Sequence, residues 1–85
     1  MLPAMAIYVA EAYLSRARAS ELEAVPERLR DALTVRHLFS YFVPEEETAF
    51  HVLQAATPDA LREALERAGI APDRVVIAEP LGGSS

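Results

Sequence analysis

The stretch Val35 to Gln54, VRHLFSYFVPEEETAFHVLQ, decides the fold. Two runs rich in β-branched and aromatic residues flank a Pro and three consecutive Glu. Those four residues cannot comfortably continue a sheet, so the stretch reads as a β-hairpin. Simple alternation puts Val35, His37, Phe39, Tyr41 and Val43 on one face of the first arm, and Leu38, Ser40 and Phe42 on the other. Both sets are largely apolar, so something should cover each side of the sheet.

Moving toward the N-terminus, Ser20 and Glu23 form an S-x-x-E capping box that starts a helix from about Glu21 to Leu33. Its apolar stripe is Leu22, Val25, Leu29, Ala32 and Leu33. Pro26 falls inside this span. Either it kinks the helix, or the Ser20 turn is separate and Pro26 opens the main helix. Before the polar link SRARA (15–19), MAIYVAEAYL (5–14) alternates as a strand. It has Ile7, Val9, Glu11 and Tyr13 on one face and Tyr8, Ala10, Ala12 and Leu14 on the other.

Toward the C-terminus, Thr57 as N-cap, Pro58 at the first helical position and Asp59 in the first turn start a second helix. Its buried face is Leu61, Ala64, Leu65 and Ala68. Gly69 ends it as a left-handed residue with Ile70 completing a Schellman motif. Arg74 to Leu81 is a last strand that Pro80 marks as an edge or ends, and a flexible tail begins at about residue 82.

The order β-α-β-β-α-β predicts one α+β domain over residues 1–85. It is ferredoxin-like, with two helices on one face of a four-stranded antiparallel sheet. The other face is apolar too, which predicts a homodimer of the dimeric α/β barrel type.

Composition agrees with association. The chain has 85 residues, 52% hydrophobic, and no Cys to supply a disulfide or a thiolate-held metal. Net charge is −5 and every basic residue is Arg, which argues against nucleic acid. No apolar run reaches the roughly 20 residues of a membrane span. The first residues lack the basic start of a signal peptide, so a cytoplasmic location is expected.

The segments YVAEAYL (8–14), FSYFVPEEETAFHVLQA (39–55) and LREALERAGIAPDRVV (61–76) resemble a small bacterial ferredoxin-like family of largely unknown function. That family is typified by a nickel-binding dimeric protein. Glu11, Ser40 and Tyr41 match its pattern, as do Gly69, Pro72 and Asp73 in AGIAPDRVV. Ala12 stands where Arg is usual, Thr48 where Lys is, and His51 where Cys is. The resemblance implies a dimeric fold and a nickel ion or another divalent transition metal.

The candidate metal ligands are His51, Glu11 and His37. With an even hairpin loop the two His fall on opposite faces. With an odd loop they share a face but lie roughly 13 Å apart along the strand, so neither arrangement chelates within one subunit. Imidazole with carboxylate and water would suit nickel or zinc. The alternative is an enzyme without cofactor, of cyclase, isomerase or monooxygenase type. In it Glu11 and His51 act as acid and base on a ligand held by Tyr13, Tyr41, Phe50 and Ser40. Plainer readings stand beside these: an ordinary strand histidine, Glu11 paired with Arg36 or Arg74, aromatics that are core and interface, and Glu45–Glu47 as solvated charges guarding an edge. Ser40 has no activating partner in the sequence.

Overall fold

A computed structural model describes residues 5–30, 32 and 34–79. Strand β1 (Ala6–Tyr13) leads into a 3₁₀ helix (Arg16–Ala24) and a short helix α1 (Val25–Leu29). The hairpin β2 (Val35–Val43) and β3 (Thr48–Ala55) follows, then helix α2 (Pro58–Arg67) and strand β4 (Arg74–Ala78). The sheet runs β2-β3-β1-β4, with every neighbouring pair antiparallel. This is the ferredoxin-like α+β arrangement.

Both helices pack on one face. Val25 and Leu29 from α1 and Leu61, Ala64 and Leu65 from α2 form one buried cluster with Tyr8, Ala10, Val35, Leu53 and Ala55 of the sheet. β1 keeps its predicted alternation, with Tyr8, Ala10 and Ala12 buried beneath the helices.

α2 forms as its signals dictate. Thr57 accepts the Ala60 amide at 3.1 Å, and Pro58 occupies the first turn, where its missing N–H costs nothing. At the other end Gly69 has φ +77°. The amide of Ile70 bonds the Leu65 carbonyl at 2.9 Å and that of Gly69 bonds Glu66 at 3.0 Å, the paired bonds of a Schellman motif. Asp73 then latches the chain to β1: its carboxylate accepts the Tyr13 amide at 2.8 Å and its own amide bonds Glu11 carbonyl oxygen at 2.7 Å. The AGIAPD motif is thus a structural corner.

The first helix differs from expectation. No continuous helix runs from Glu21; Ser20 lies inside the nine-residue 3₁₀ segment, so it does not cap. Pro26 explains the split. It has no N–H to give the Leu22 carbonyl, which instead accepts from Val25 in a tighter turn. Pro26 then opens α1, the second of the two arrangements weighed above. The predicted end at Leu33 lies outside the described residues, as do Pro80 and the tail; β4 is already over at Ala78.

The hairpin departs in one decisive place. His37 pairs with Leu53 and Phe39 with Val52, so Leu38 is an extra residue, a β-bulge. Beyond it the faces swap: Ser40 and Phe42 join Val35 and His37 on the helix side, while Phe39, Tyr41 and Val43 turn to the open side. Glu47 closes the turn at φ +47°, a strained angle for a residue with a Cβ. Its carbonyl accepts from Leu14 at 2.8 Å and its carboxylate from the Arg16 amide at 2.9 Å. One of the three acidic turn residues therefore anchors the turn to the start of the 3₁₀ helix.

Candidate functional site

The helix side of the sheet is unusually small at one end. Ala12 and Ala49 face each other across β1 and β3, and Ala10 lies opposite His51. Alanines cannot fill the space up to the irregular 3₁₀ segment. A cavity of about 190 Å³ remains, walled by Leu22, Val25 and Ile70 as well as by Ala12 and Ala49, with Arg18, Glu21 and Arg28 also lining it. His51 reaches the same cavity although its residue surface is only 3% exposed.

The His51 ring is held from the side. Its Nδ1 lies 2.7 Å from Ser40 Oγ, and that oxygen lies 2.8 Å from His37 Nε2. The bulge at Leu38 makes this possible. In a regular strand His37 and Ser40, three residues apart, would point to opposite faces. With the extra residue they share one, and cross-strand pairing puts Ser40 directly beside His51. The expectation for the two His is thereby corrected. The four-residue turn Pro44–Glu47 would separate them, but the bulge reverses the parity and a serine bridges the remaining distance. Ser40, without a partner in the sequence, has two in the fold.

Burial disfavours the charged form of both imidazoles, more strongly for His51 than for the half-buried His37. Desolvation lowers the pKa of His51 to about 4, with a smaller push from nearby His37, and desolvation also lowers that of His37. On the cavity rim, hydrogen bonds from Arg18 hold the Glu21 carboxyl below its usual range. The bonds are Arg18 Nε to Oε2 at 2.8 Å and Nη2 to Oε1 at 2.9 Å.

The other predicted site residues do not converge. Glu11 pairs across the sheet with Phe50, whereas His51 pairs with Ala10, so Glu11 and His51 project from opposite faces and no acid/base dyad forms. Glu11 instead faces Arg74 at 3.9 Å, the ion pair foreseen as the plainer reading. Tyr41 and Phe50 stack on the open face at 5.2 Å, continued by Phe39 at 6.0 Å from Tyr41. Tyr13 is largely exposed and reaches the cavity rim. Among the described residues no three His, Asp or Glu side chains are grouped to hold a metal ion.

The cavity residues Arg18, Leu22, Val25, Arg28 and Ile70 were not predicted as site residues, although Leu22 and Val25 were read as a helix stripe and Ile70 as a capping contact. The available signal was the alanine pair Ala12 and Ala49, which on a strand face beneath helices means missing volume.

Fold and site together define a ferredoxin-like α+β domain with a histidine-bearing cavity between its sheet and its helical layer. The chain is similar in structure to SCO4226 from Streptomyces coelicolor A3(2), at TM-score 0.66 and 13% sequence identity, over 94% of this chain and 100% of that one. At that identity the likeness is one of fold. No protein-family profile matches the chain, and no curated protein matches it. Among the described residues, no helix is long and apolar enough to cross a membrane.

Proposed function

We propose that this chain is a homodimeric binding protein that takes one small organic ligand per subunit in the cavity beneath the 3₁₀ helix. The observation that carries this reading is the buried His51 imidazole in a cavity that small and aliphatic side chains share with Arg18, Glu21 and Arg28. Small-molecule sites combine apolar walls with a few fixed polar groups, and Ser40 fixes this one. The volume is below the roughly 300 Å³ of a typical drug-sized pocket, so the ligand is a compact one.

Nuclear magnetic resonance with a fragment library tests the reading. Binders are expected to shift the methyl signals of Leu22, Val25 and Ile70, and Ala49→Val, which narrows the cavity, should suppress the response. Shifts confined to Val9, Val52 and Val76 would move the site to the open face. Nickel enters through the family resemblance alone. Stoichiometric Ni²⁺ uptake by calorimetry, lost in His51→Ala, would replace the organic ligand by a metal that draws further ligands from a second subunit.

The open face supports the dimer. Phe39 is 53% exposed and Tyr41 48%, in a stacked aromatic ladder with Phe50 on a sheet face that no helix covers among the described residues. A second copy of this face supplies the missing cover, and the contact is apolar. Sedimentation should therefore give a dimer that persists in 1 M salt, about ten times the ionic strength at which surface charges are already screened beyond about 10 Å. Tyr41→Glu should shift it to monomer. A concentration-independent monomer in the unaltered chain would contradict the proposal.

A further inference from the structure

The charged side chains of the cavity are two arginines and one glutamate. Arg18 and Arg28 are cationic donors, and the single carboxylate, Glu21, is taken up by Arg18 through two hydrogen bonds. Two guanidiniums against one carboxylate leave local positive charge on a chain whose net charge is −5. No other charged side chain lines the cavity among the described residues.

What His51 offers depends on Ser40. The hydroxyl carries one proton, so it donates to one imidazole and accepts from the other. If it donates to His51 Nδ1, the His51 proton sits on Nε2 and becomes a donor toward the cavity; His37 then donates its own Nε2–H to Ser40. If it turns the other way, His51 Nε2 is a bare acceptor. The first arrangement adds an imidazole N–H donor to the two guanidiniums of the cavity. It calls for a ligand with an anionic acceptor.

We propose that the cavity takes a small carboxylate, with a carboxylate oxygen accepting a hydrogen bond from His51 Nε2–H, in the tautomer held by Ser40 and His37, and the hydrocarbon part against Leu22, Val25 and Ile70. The inference rests on the cavity being the ligand site. Size limits the hydrocarbon: a dry cavity of about 150 Å³ accommodates benzene, so about 190 Å³ suits a single ring or a short branched chain carrying the carboxylate. Ser40 is a positioning residue here, since it acts through His51.

Benzoate and benzamide, equal in shape and different in charge, are the probes. At pH 7 benzoate should bind at least tenfold more tightly than benzamide. Nitrogen-15 spectra of the histidine side chains should show His51 protonated on Nε2 in the complex. Ser40→Ala should weaken benzoate at least tenfold and Ser40→Thr should restore it, while benzamide is affected little. Equal binding of both probes would overturn the carboxylate assignment and leave the cavity reading standing. A His51 proton on Nδ1, or a Ser40→Ala variant that binds benzoate as before, would overturn the tautomer. Failure of both probes to bind at millimolar concentration would overturn the inference and the ligand-site reading together.

Discussion

Leu65→Ala is expected to lower the unfolding free energy by about 2–5 kcal/mol. Leu65 is fully buried at the centre of the α2 face, with Leu61 of the same helix and Leu53 of β3 equally inaccessible in the same cluster. Removing its isobutyl group loses the transfer energy of those atoms and leaves a void that a sheet and a capped helix cannot close. A domain of this length has roughly 4–13 kcal/mol in total, so the change consumes a large share. Urea denaturation at fixed protein concentration checks it, with the concentration held because dimerisation would add to apparent stability. Glu66→Ala, on the exposed face one residue along, should fall within about 0.5 kcal/mol. A comparable small loss for Leu65→Ala would show that the helix is oriented wrongly.

Acidification should destabilise the chain from about pH 6.5 downward. His51 in the folded state has its pKa lowered to about 4, from the ordinary 6.5 that it regains on unfolding. Between these values the unfolded chain binds the extra proton, so stability rises with pH through the window. The contribution is fully present above pH 6.5 and is lost as pH falls toward 4. Linkage gives about 2 kcal/mol lost by pH 5 and about 3 by pH 4. His37, whose pKa is also lowered by burial, adds in the same direction. Urea midpoints from pH 7 to pH 5 should therefore fall in the unaltered chain and flatten in His51→Asn. An equal slope in both would assign the effect to other groups.

How far the sequence carried each of these features follows from where the controlling information lies. α2 was legible from end to end because Thr57, Pro58, Asp59 and Gly69 act locally, each on backbone groups within a turn of itself. The faces of β1 were legible because its alternation is regular. The bulge at Leu38 was not, since H-L-F-S carries no local mark of it; the register is settled by which side chains of β2 the helices bury. That one residue decides whether His37, Ser40 and His51 meet. Simple alternation therefore separated the two histidines and left Ser40 unpartnered. The capping box at Ser20 failed for a different reason: Pro26 withdraws the hydrogen bond that would have carried the helix through, and the local signal yielded to it. The same irregular segment leaves the space that becomes the cavity.

The most direct measurement is the pH titration of the two histidine side chains by nitrogen-15 and proton resonance, in the unaltered chain and in Ser40→Ala. His51 should stay uncharged until the pH approaches 4, His37 should titrate below its ordinary value, and the ring-nitrogen signals of both histidines should change when the bridging hydroxyl is removed. A His51 that titrates near 6.5 with signals indifferent to Ser40 would mean that the ring is open to water, and the part-buried His37–Ser40–His51 network would be contradicted.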